Sequence, residues 1–327
     1  WPHRSEFRLY VRTNLVEEIW SYRLGPEGVQ QVEPAATALP DPYVGSESDV
    51  VSNATISLPD AMPRGVNVAS DGTLYVADTA NHRVWHVNRE GGVLQLWGEQ
   101  GTAPGQFQEP WDVAVDSQGD VYVTDTWNHR VQKFSAEGEF LLSWGTYGEY
   151  AVGDVNGQGG FYGPRGIAIG PDGQIYVTDT GNKRVQVFNR QGDFLWEFGG
   201  GGSDPGRLNE PVGIAISADG EIFVADTWNT RVQVFTPDGS FVRQWNVPVW
   251  DVANPELKPF LAVDDMDNVY VADSGQGRIL IFEKGGVFRQ SLGGLQFPVG
   301  IAVGDDHLYA ADAHQSRVVS FPVPESP

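Results

Sequence analysis

Asp125-Thr126-Trp127-Asn128-His129-Arg130-Val131 is one copy of a pattern that recurs along the chain. Every copy has an aspartate at its first position and an arginine five residues later. The six pairs are Asp78 and Arg83, Asp125 and Arg130, Asp179 and Arg184, Asp226 and Arg231, Asp273 and Arg278, and Asp312 and Arg317. Successive aspartates lie 47, 54, 47, 47 and 39 residues apart, which indicates six repeats of one structural unit.

Within a repeat, short apolar runs alternate with turns. In the third copy the runs are residues 166–169, 174–178, 184–188 and 194–198, rich in β-branched and aromatic residues and separated by Gly, Asp and Asn. Four short strands repeated at this period predict an antiparallel meander, the blade of a β-propeller. The fold class predicted is therefore all-β, a six-bladed β-propeller of four-stranded antiparallel blades.

The repeats resemble a known family. Pro-x-Gly-Ile-Ala-Val, then Tyr-Val-(Ala/Thr)-Asp-Thr, then Asn-x-Arg-Val-Gln-Val-Phe is similar to the NHL repeat, over residues 60–321. The resemblance implies a propeller that usually has six blades. Propellers resembling this one include amidating lyases, lactonases and related hydrolases, in which His, Asp, Asn or Glu of the innermost strands hold a metal on the axis.

The sixth repeat ends before its fourth strand, because the position 19 residues after Asp312 lies beyond the last residue. An open sheet edge at this point would leave the ring unclosed. We expect the strand at about residues 50–58 to complete the last blade by antiparallel pairing with residues 317–321. Val50, Ala54, Ile56 and Leu58 would then face inward. Two regions follow: residues 1–49, an N-terminal arm and linker, and residues 50–327, the NHL-type propeller.

The arm differs in composition from the repeats, since residues 1–24 combine arginines with aromatic residues. Such a segment is typical of a strand or an amphipathic helix packed beside the propeller, or of chain next to a membrane span. The arm could also lie on a neighbouring subunit and link copies into an oligomer or filament.

The repeated Asp and Arg are expected to be structural, because a catalytic site needs one set of residues rather than six. Aspartate after the second strand can accept hydrogen bonds from turn N–H groups, and arginine can pair with a carboxylate of its own or the next blade. The Asn between them suits a turn position with positive φ.

The topology divides the loops between two faces. We call face one the surface formed by the connectors between blades and by the Asp-x-x-Asn-x-Arg turns; face two carries the other turns, many of them acidic. Exposed aromatic residues serve protein interfaces. The candidate binding residues on face one are Arg64, Trp111, Asp112, Trp127, Arg165 and Trp228.

The predicted hub offers few metal ligands. The innermost strands are aliphatic except for Asn67 and Asp112, whereas zinc needs three or four protein ligands and calcium six to eight oxygens. No catalytic residue, metal site or cofactor is therefore assigned. The formal net charge of −22 disfavours nucleic acid, which is bound through clustered Lys and Arg.

The location expected is extracellular or at the cell surface, with any membrane attachment through a segment outside this chain. Asn53-Ala54-Thr55 is an N-glycosylation sequon, and Cys is absent. The function predicted is that of a non-enzymatic extracytoplasmic propeller: an acidic, self-assembling scaffold or protein-binding module, or the processed ectodomain of a membrane protein. The alternatives are a metal-dependent lyase or lactonase-like enzyme and a carbohydrate-binding module.

Overall fold

The structure, a computed structural model, describes residues 6–12, 16–25, 28–38, 41–48, 51–250, 258–304 and 306–323, with the backbone alone described before residue 41. Six four-stranded antiparallel sheets follow one another along the propeller region. The first strands of consecutive sheets adjoin, and that of the sixth adjoins that of the first, so the sheets form a ring. The predicted six-bladed β-propeller is confirmed.

Blades one to five use their strands in chain order from hub to rim, and blade six takes its outermost strand from the N-terminal side. Their bounds are Pro63–Val68, Leu74–Asp78, Arg83–Val87 and Val93–Trp97 in blade one; Pro110–Val115, Val121–Asp125, Arg130–Phe134 and Phe140–Trp144 in blade two; Pro164–Ile169, Ile175–Asp179, Arg184–Phe188 and Phe194–Gly199 in blade three; Pro211–Ile216, Ile222–Asp226, Arg231–Phe235 and Phe241–Asn246 in blade four; Leu261–Val263, Asn268–Asp273, Arg278–Glu283 and Phe288–Leu292 in blade five; and Pro298–Val303, His307–Asp312, Arg317–Pro322 and Ala54–Ser57 in blade six.

Short 3-10 helices and one extra strand pair lie in the connections. The helices are Thr79–Asn81, Thr126–Asn128, Val155–Gly157, Thr227–Asn229, Ser274–Gln276 and Ala313–Gln315. The long connector after blade two holds Thr146–Tyr147 and Gly160–Phe161, which pair in parallel. This connector accounts for the 54-residue spacing between Asp125 and Asp179.

In some blades the first strand pairs with the second as far as the proline that opens the blade. Each of these first strands contains a β-bulge. In blade one Pro63 pairs with Asp78 and Val66 with Val76, which leaves one extra residue in the first strand. The bulges bring neighbouring hub strands very close together. A Cβ on Gly300 would lie 1.8 Å from the carbonyl oxygen of Arg64, so only glycine fits there.

The hydrophobic core lies between blades rather than in one central mass. The cluster between blades one and two, for example, packs Val84 against Phe107, Val113, Val123 and Phe134, all of them buried. Apolar side chains on both faces of each middle strand are therefore covered by the two adjacent blades, which explains the near-continuous apolar runs of the repeats.

The last blade takes its outer strand from the N-terminal side of the propeller. Ala54–Ser57 pairs antiparallel with Arg317–Pro322, in the register Ser57 with Arg317 and Ile56 with Val318. Ile56 and Leu58 are buried, whereas Ala54 is exposed and Val50 lies outside the described residues. The expectation that Ala54 faces inward was wrong, because the apolar contact of this short strand begins only at Ile56.

Residues 41–48, which the sequence prediction assigned to a linker, pack on blade five. Tyr43 is buried between blades four and five, and its carbonyl accepts from Nη1 of Arg278 at 3.0 Å. Ser291 of the outer strand exchanges backbone hydrogen bonds with this segment, accepting from Ser48 N–H at 2.9 Å and donating to Ser46 at 3.0 Å. Residues 41–48 are therefore bound to the propeller, although they precede its predicted boundary at residue 50.

The arm before residue 41 is also β-structure. Glu6–Arg12, Val16–Gly25 and Gly28–Ala38 form a three-stranded antiparallel meander. The amphipathic-helix alternative for residues 1–24 was therefore wrong for the part described. The alternation of Phe7, Leu9 and Val11 is that of a strand.

Candidate binding face

Each repeated aspartate binds the arginine of its own blade. The Arg Nε to Asp Oδ2 distances are 2.8, 2.7, 2.8, 2.7, 2.7 and 2.9 Å in blades one to six. In blades one to four and six the other carboxylate oxygen accepts a backbone N–H from the connector entering the blade, such as Gln108 N–H on Asp125 at 2.7 Å. In these five blades the pair thus fixes the connector to the blade that it enters.

In blades two, three, four and six the arginine also donates to carbonyls of the same connector. Arg184 donates to the carbonyls of Gly157 and Gly160 at 2.9 and 2.8 Å, and to Glu197 at 2.6 Å. Burial raises the pKa of Asp179, and the Arg184 guanidinium opposes this shift. In blade three both partners of the pair are fully buried, as expected of a structural contact.

The prediction that the intervening Asn adopts positive φ was wrong. The left-handed residue is the next one, His82, His129, Lys183 or Thr230, with φ between 53° and 58°. The Asn itself stays within the turn because its amide donates to the repeated aspartate, as Asn128 does to Asp125 at 2.9 Å.

Three of the six predicted binding residues lie together at the face-one end of the hub. Trp111 is buried, and the guanidinium carbons of Arg64 and Arg165 lie 4.2 and 4.3 Å from the centre of its ring. Arg165 also binds Glu210 at 2.9 Å. Trp111 is therefore held between two cations inside the hub, and it is not available as an exposed contact.

Asp112, the fourth, is a buried carboxyl that joins two blades. It accepts backbone N–H groups of Val113 in blade two and Ile167 in blade three, each at 2.9 Å. Burial raises the pKa of Asp112 to about 8, and the two hydrogen bonds oppose that shift. Four of the other blades have glycine at this position, so the carboxyl is a feature of blade two alone.

The central channel contains a cavity of about 160 Å³ lined by Asn67, Asp112 and aliphatic residues. A larger cavity of about 480 Å³ opens at face two beside Asp116, Asp264 and Arg89. Asp116 and Asp264 accept hydrogen bonds from Tyr122 and Tyr270 and from backbone N–H groups. Across the ranges that the structure describes, no group of three His, Asp or Glu is arranged to hold a metal ion.

The remaining two predicted binding residues, Trp127 and Trp228, are exposed on face one, at 42% and 50%. Nε1 of Trp127 donates to Oε2 of Glu109 at 2.8 Å. Nζ of Lys258 lies 5.7 Å from the centre of the Trp228 ring and 2.9 Å from Oε2 of Glu210.

Sequence reasoning missed several residues on this face, namely Glu109, Tyr147, Tyr162, Glu210 and Lys258. Tyr147 and Tyr162 are exposed around His129, with ring centres 4.8 and 6.2 Å from the His129 ring. A signal for the two glutamates was available, because each lies 18 residues before an exposed tryptophan and directly before a proline.

Asn53 of the sequon is exposed beside the closing strand, with its amide 3.1 Å from Nε2 of His307. Among the described residues no helix has the length and apolar character needed to cross a membrane.

Comparison with known proteins finds NHL repeats in four segments of the chain, residues 61–87, 107–134, 161–188 and 208–235. The chain is also 40% identical over 53 residues to the protein Brain tumor of Drosophila melanogaster. That match covers 16% of this chain and 5% of the Drosophila protein. The predicted NHL resemblance is confirmed.

Solved structures with the same fold differ in function. A streptogramin B lyase is 17% identical with a TM-score of 0.58, over 83% of this chain and 97% of that one. A gluconolactonase from Xanthomonas campestris is 16% identical with a TM-score of 0.62, over 83% and 89%. A chain of a nidogen–laminin complex is 16% identical with a TM-score of 0.56, over 91% and 97%. At such identities the likeness shows the fold alone.

Proposed function

We propose that this NHL-repeat propeller is a non-enzymatic, extracytoplasmic protein-contact module that presents face one to a partner or to further copies of itself. The observation that carries the proposal is the exposure of Trp127, Trp228, Tyr147 and Tyr162 on face one. Aromatic residues of this kind are enriched at protein interfaces, where they contribute large apolar area and a polar tip.

The repeated charged residues support a structural rather than a chemical role for the rest of this face. In blades one to four and six the aspartate of the pair is bound both by its own arginine and by the connector. The hub residues Trp111 and Arg165 are likewise engaged with each other. A partner on face one would therefore meet a rigid surface with little ordering cost on binding.

The extracytoplasmic setting is supported by the exposed sequon at Asn53, since N-glycosylation marks the surface of secreted proteins. The combination of arginine and aromatic residues in the first 24 residues agrees with an attachment close to a membrane. Treatment of the natively produced protein with a glycosidase tests this part, and an unchanged mass would contradict it.

One of the similar structures agrees with a contact role. A chain of the nidogen–laminin complex has the same fold, so this architecture occurs in a protein complex. The lyase and the lactonase show that the architecture also serves enzymes. Elemental analysis of the purified protein distinguishes the two classes, because a stoichiometric zinc or a tightly held divalent cation would support the enzyme.

Light scattering at several protein concentrations tests the self-contact version. We expect the average mass of the full chain to rise with concentration, and the rise to be reduced when Trp127 and Trp228 are both replaced by Ser. A chain that begins at residue 41 shows whether the N-terminal sheet contributes. A constant monomer mass for all three proteins would remove self-assembly and leave a different protein as the partner.

A further inference from the structure

The repeat provides two copies of one arrangement on face one. Glu109 and Trp127 in blade two are separated by 18 residues, as are Glu210 and Trp228 in blade four. Both glutamates precede the first proline of their blade, and both have φ of 54°. Each glutamate therefore enters its blade with the same backbone geometry, close to an exposed indole.

The blade-four copy contains a cation from the protein itself. Nζ of Lys258 binds Oε2 of Glu210 at 2.9 Å and lies 5.7 Å from the centre of the Trp228 ring. The Lys258 side chain is only 4% exposed. A carboxylate and an aromatic ring together thus hold one ammonium group, combining an ion pair with a cation–π contact.

The blade-two copy has the same acid and ring without such a cation. Among the described residues, no Lys or Arg is placed over the Trp127 ring. Arg165 interacts electrostatically with Glu109, but its guanidinium is bonded to Glu210 and packs on the ring of Trp111. Trp127 therefore presents its ring to solvent, with Glu109 at its edge.

The long connector adds further aromatic surface and a second acid to the blade-two copy. The hydroxyl of Tyr147 donates to Glu149 at 2.6 Å, and the rings of Tyr147 and Tyr162 meet edge to face with centres 5.8 Å apart. We call Trp127, His129, Tyr147, Tyr162, Glu109 and Glu149 the aromatic basin.

The connector that builds the basin is held in place by the blade. The side chain of Asn182 donates to the Gly148 carbonyl at 2.9 Å and accepts the Tyr150 N–H at 2.9 Å. The ring of Tyr150 packs against Gly148, Gly157 and Gly160. The basin is thus formed before any ligand arrives, which lowers the cost of binding.

We propose that the aromatic basin binds a lysine or arginine side chain presented by a partner protein, occupying the position that Lys258 fills in blade four. This inference rests on the proposed function of face one as a protein-contact surface. Rings flanked by carboxylates attract cations, and the net charge of −22 favours a basic partner. A sugar fits less well, because the Trp127 and Tyr147 donors are already used on the protein's own carboxylates.

The test uses the full chain labelled with ¹⁵N at its tryptophan indoles. The signals of Trp127 and Trp228 are assigned from Trp127→Phe and Trp228→Phe variants. The probes are the peptide acetyl-Gly-Lys-Gly-Arg-Gly-amide, the same peptide with Glu for Lys and Arg, and maltotriose. We expect the basic peptide to shift the Trp127 signal saturably, with the Trp228 signal unchanged and the other two probes without effect.

Charge-matched variants separate the basin from general attraction to an acidic protein. Glu109→Gln with Glu149→Gln should weaken binding of the basic peptide at least fivefold. Glu137→Gln with Glu139→Gln, which removes two exposed charges from face two, should weaken it less than twofold. In Lys258→Gln the Trp228 signal should begin to respond, because the blade-four copy is then open. The dispersion of the remaining indole signals checks that each variant is folded.

Three results would overturn the proposal: a Trp127 signal that ignores the basic peptide, equal weakening by the two double variants, or a response to maltotriose alone. Each of these concerns the basin and leaves the light-scattering test of face-one contact unaffected. A constant monomer mass in light scattering, together with a Trp127 signal that responds to the basic peptide, would exclude self-assembly and still support a basic partner protein.

Discussion

Arg184 and Arg83 occupy the same position in the repeat but differ in enclosure. The Arg184 side chain has no exposed surface, whereas that of Arg83 is 25% exposed. Both bind a buried aspartate at 2.8 Å, and Arg184 also binds Glu197 and two connector carbonyls. The same guanidinium thus contributes unequally to stability in the two blades.

Replacing Arg184 by Met should lower the free energy of unfolding by about 3–5 kcal/mol, because it leaves the buried Asp179 charge without its cation and removes a donor from the carbonyls of Gly157 and Gly160. Arg83→Met, the matched variant, should lower it by about 1–2 kcal/mol, since the Arg83 side chain is already 25% exposed and water can replace its hydrogen bond to Asp78. Urea unfolding measures both, and equal losses would contradict a dependence on enclosure.

Asp112 predicts a specific dependence of stability on pH. Because burial raises its pKa in the folded state to about 8, the folded protein binds this proton more tightly than the unfolded chain, in which the pKa is near the ordinary 3.8. The resulting stability is fully present below the unfolded pKa and is lost as the pH rises towards and through 8.

Asp112→Gly, which restores the residue found in most other blades, should remove this dependence. The free energy of unfolding of the variant, relative to that of the native chain, should increase between pH 5 and pH 9 by at least about 2 kcal/mol. The backbone effect of glycine is the same at both pH values and cancels in this comparison. A constant difference between the two proteins would show that Asp112 does not titrate in this range.

At the residue scale, the sequence predicted contacts that recur at the same spacing in all six repeats. It did not predict contacts between residues of different blades. The pairing of Asp125 with Arg130 follows from their constant spacing in every repeat. The burial of Trp111 depends on Arg64 and Arg165, which belong to the neighbouring blades and which no local pattern connects to it.

Among elements, two segments that precede the first blade, residues 41–48 and residues 54–57, have separate structural tasks. Residues 41–48 pack on blade five through Tyr43 and Ser291, and residues 54–57 complete blade six. The second task could be inferred because the last repeat lacks a strand. The first could not, since it depends on single contacts of Asp41 and Tyr43 with Arg278 and on no periodic pattern.

A truncation series separates these tasks, with a chain that begins at residue 41 as the reference. Beginning at residue 51 removes the burial of Tyr43 and should lower the free energy of unfolding by about 3 kcal/mol, while the ring stays closed. Beginning at residue 60 should lower it further and cause aggregation, because the outer edge of blade six is then unpaired. Urea unfolding and light scattering measure the series. Equal behaviour of the two shorter chains would contradict a role for the closing strand.

For the whole molecule, blade number, ring closure and the exposed Trp127 and Trp228 on face one followed from the repeats, whereas the aromatic surface that the long connector adds did not. The connector between blades two and three is longer than the connectors on either side of it, so part of it has no equivalent in the other repeats. Only its folding around Tyr150 and its bonds to Asn182 bring Tyr147 towards His129.

The net charge of −22 predicts how the whole propeller responds to salt. Exposed carboxylates on the face-two turns, such as Asp172 and Asp238, repel one another over a screening length of about 30 Å at 0.01 M salt and about 8 Å at 0.15 M. The buried Asp–Arg pairs are screened much less, so added salt should remove repulsion without weakening them. The melting temperature should therefore rise by about 2–4 °C between 0.01 and 0.15 M KCl. Calcium chloride at equal ionic strength is the matched comparison. If calcium chloride raises the melting temperature as much as KCl does, screening alone accounts for the rise. A larger and saturable rise in calcium chloride would mean that the acidic turns bind the cation. A fall in the melting temperature in KCl would mean that surface ion pairs outweigh the repulsion between carboxylates.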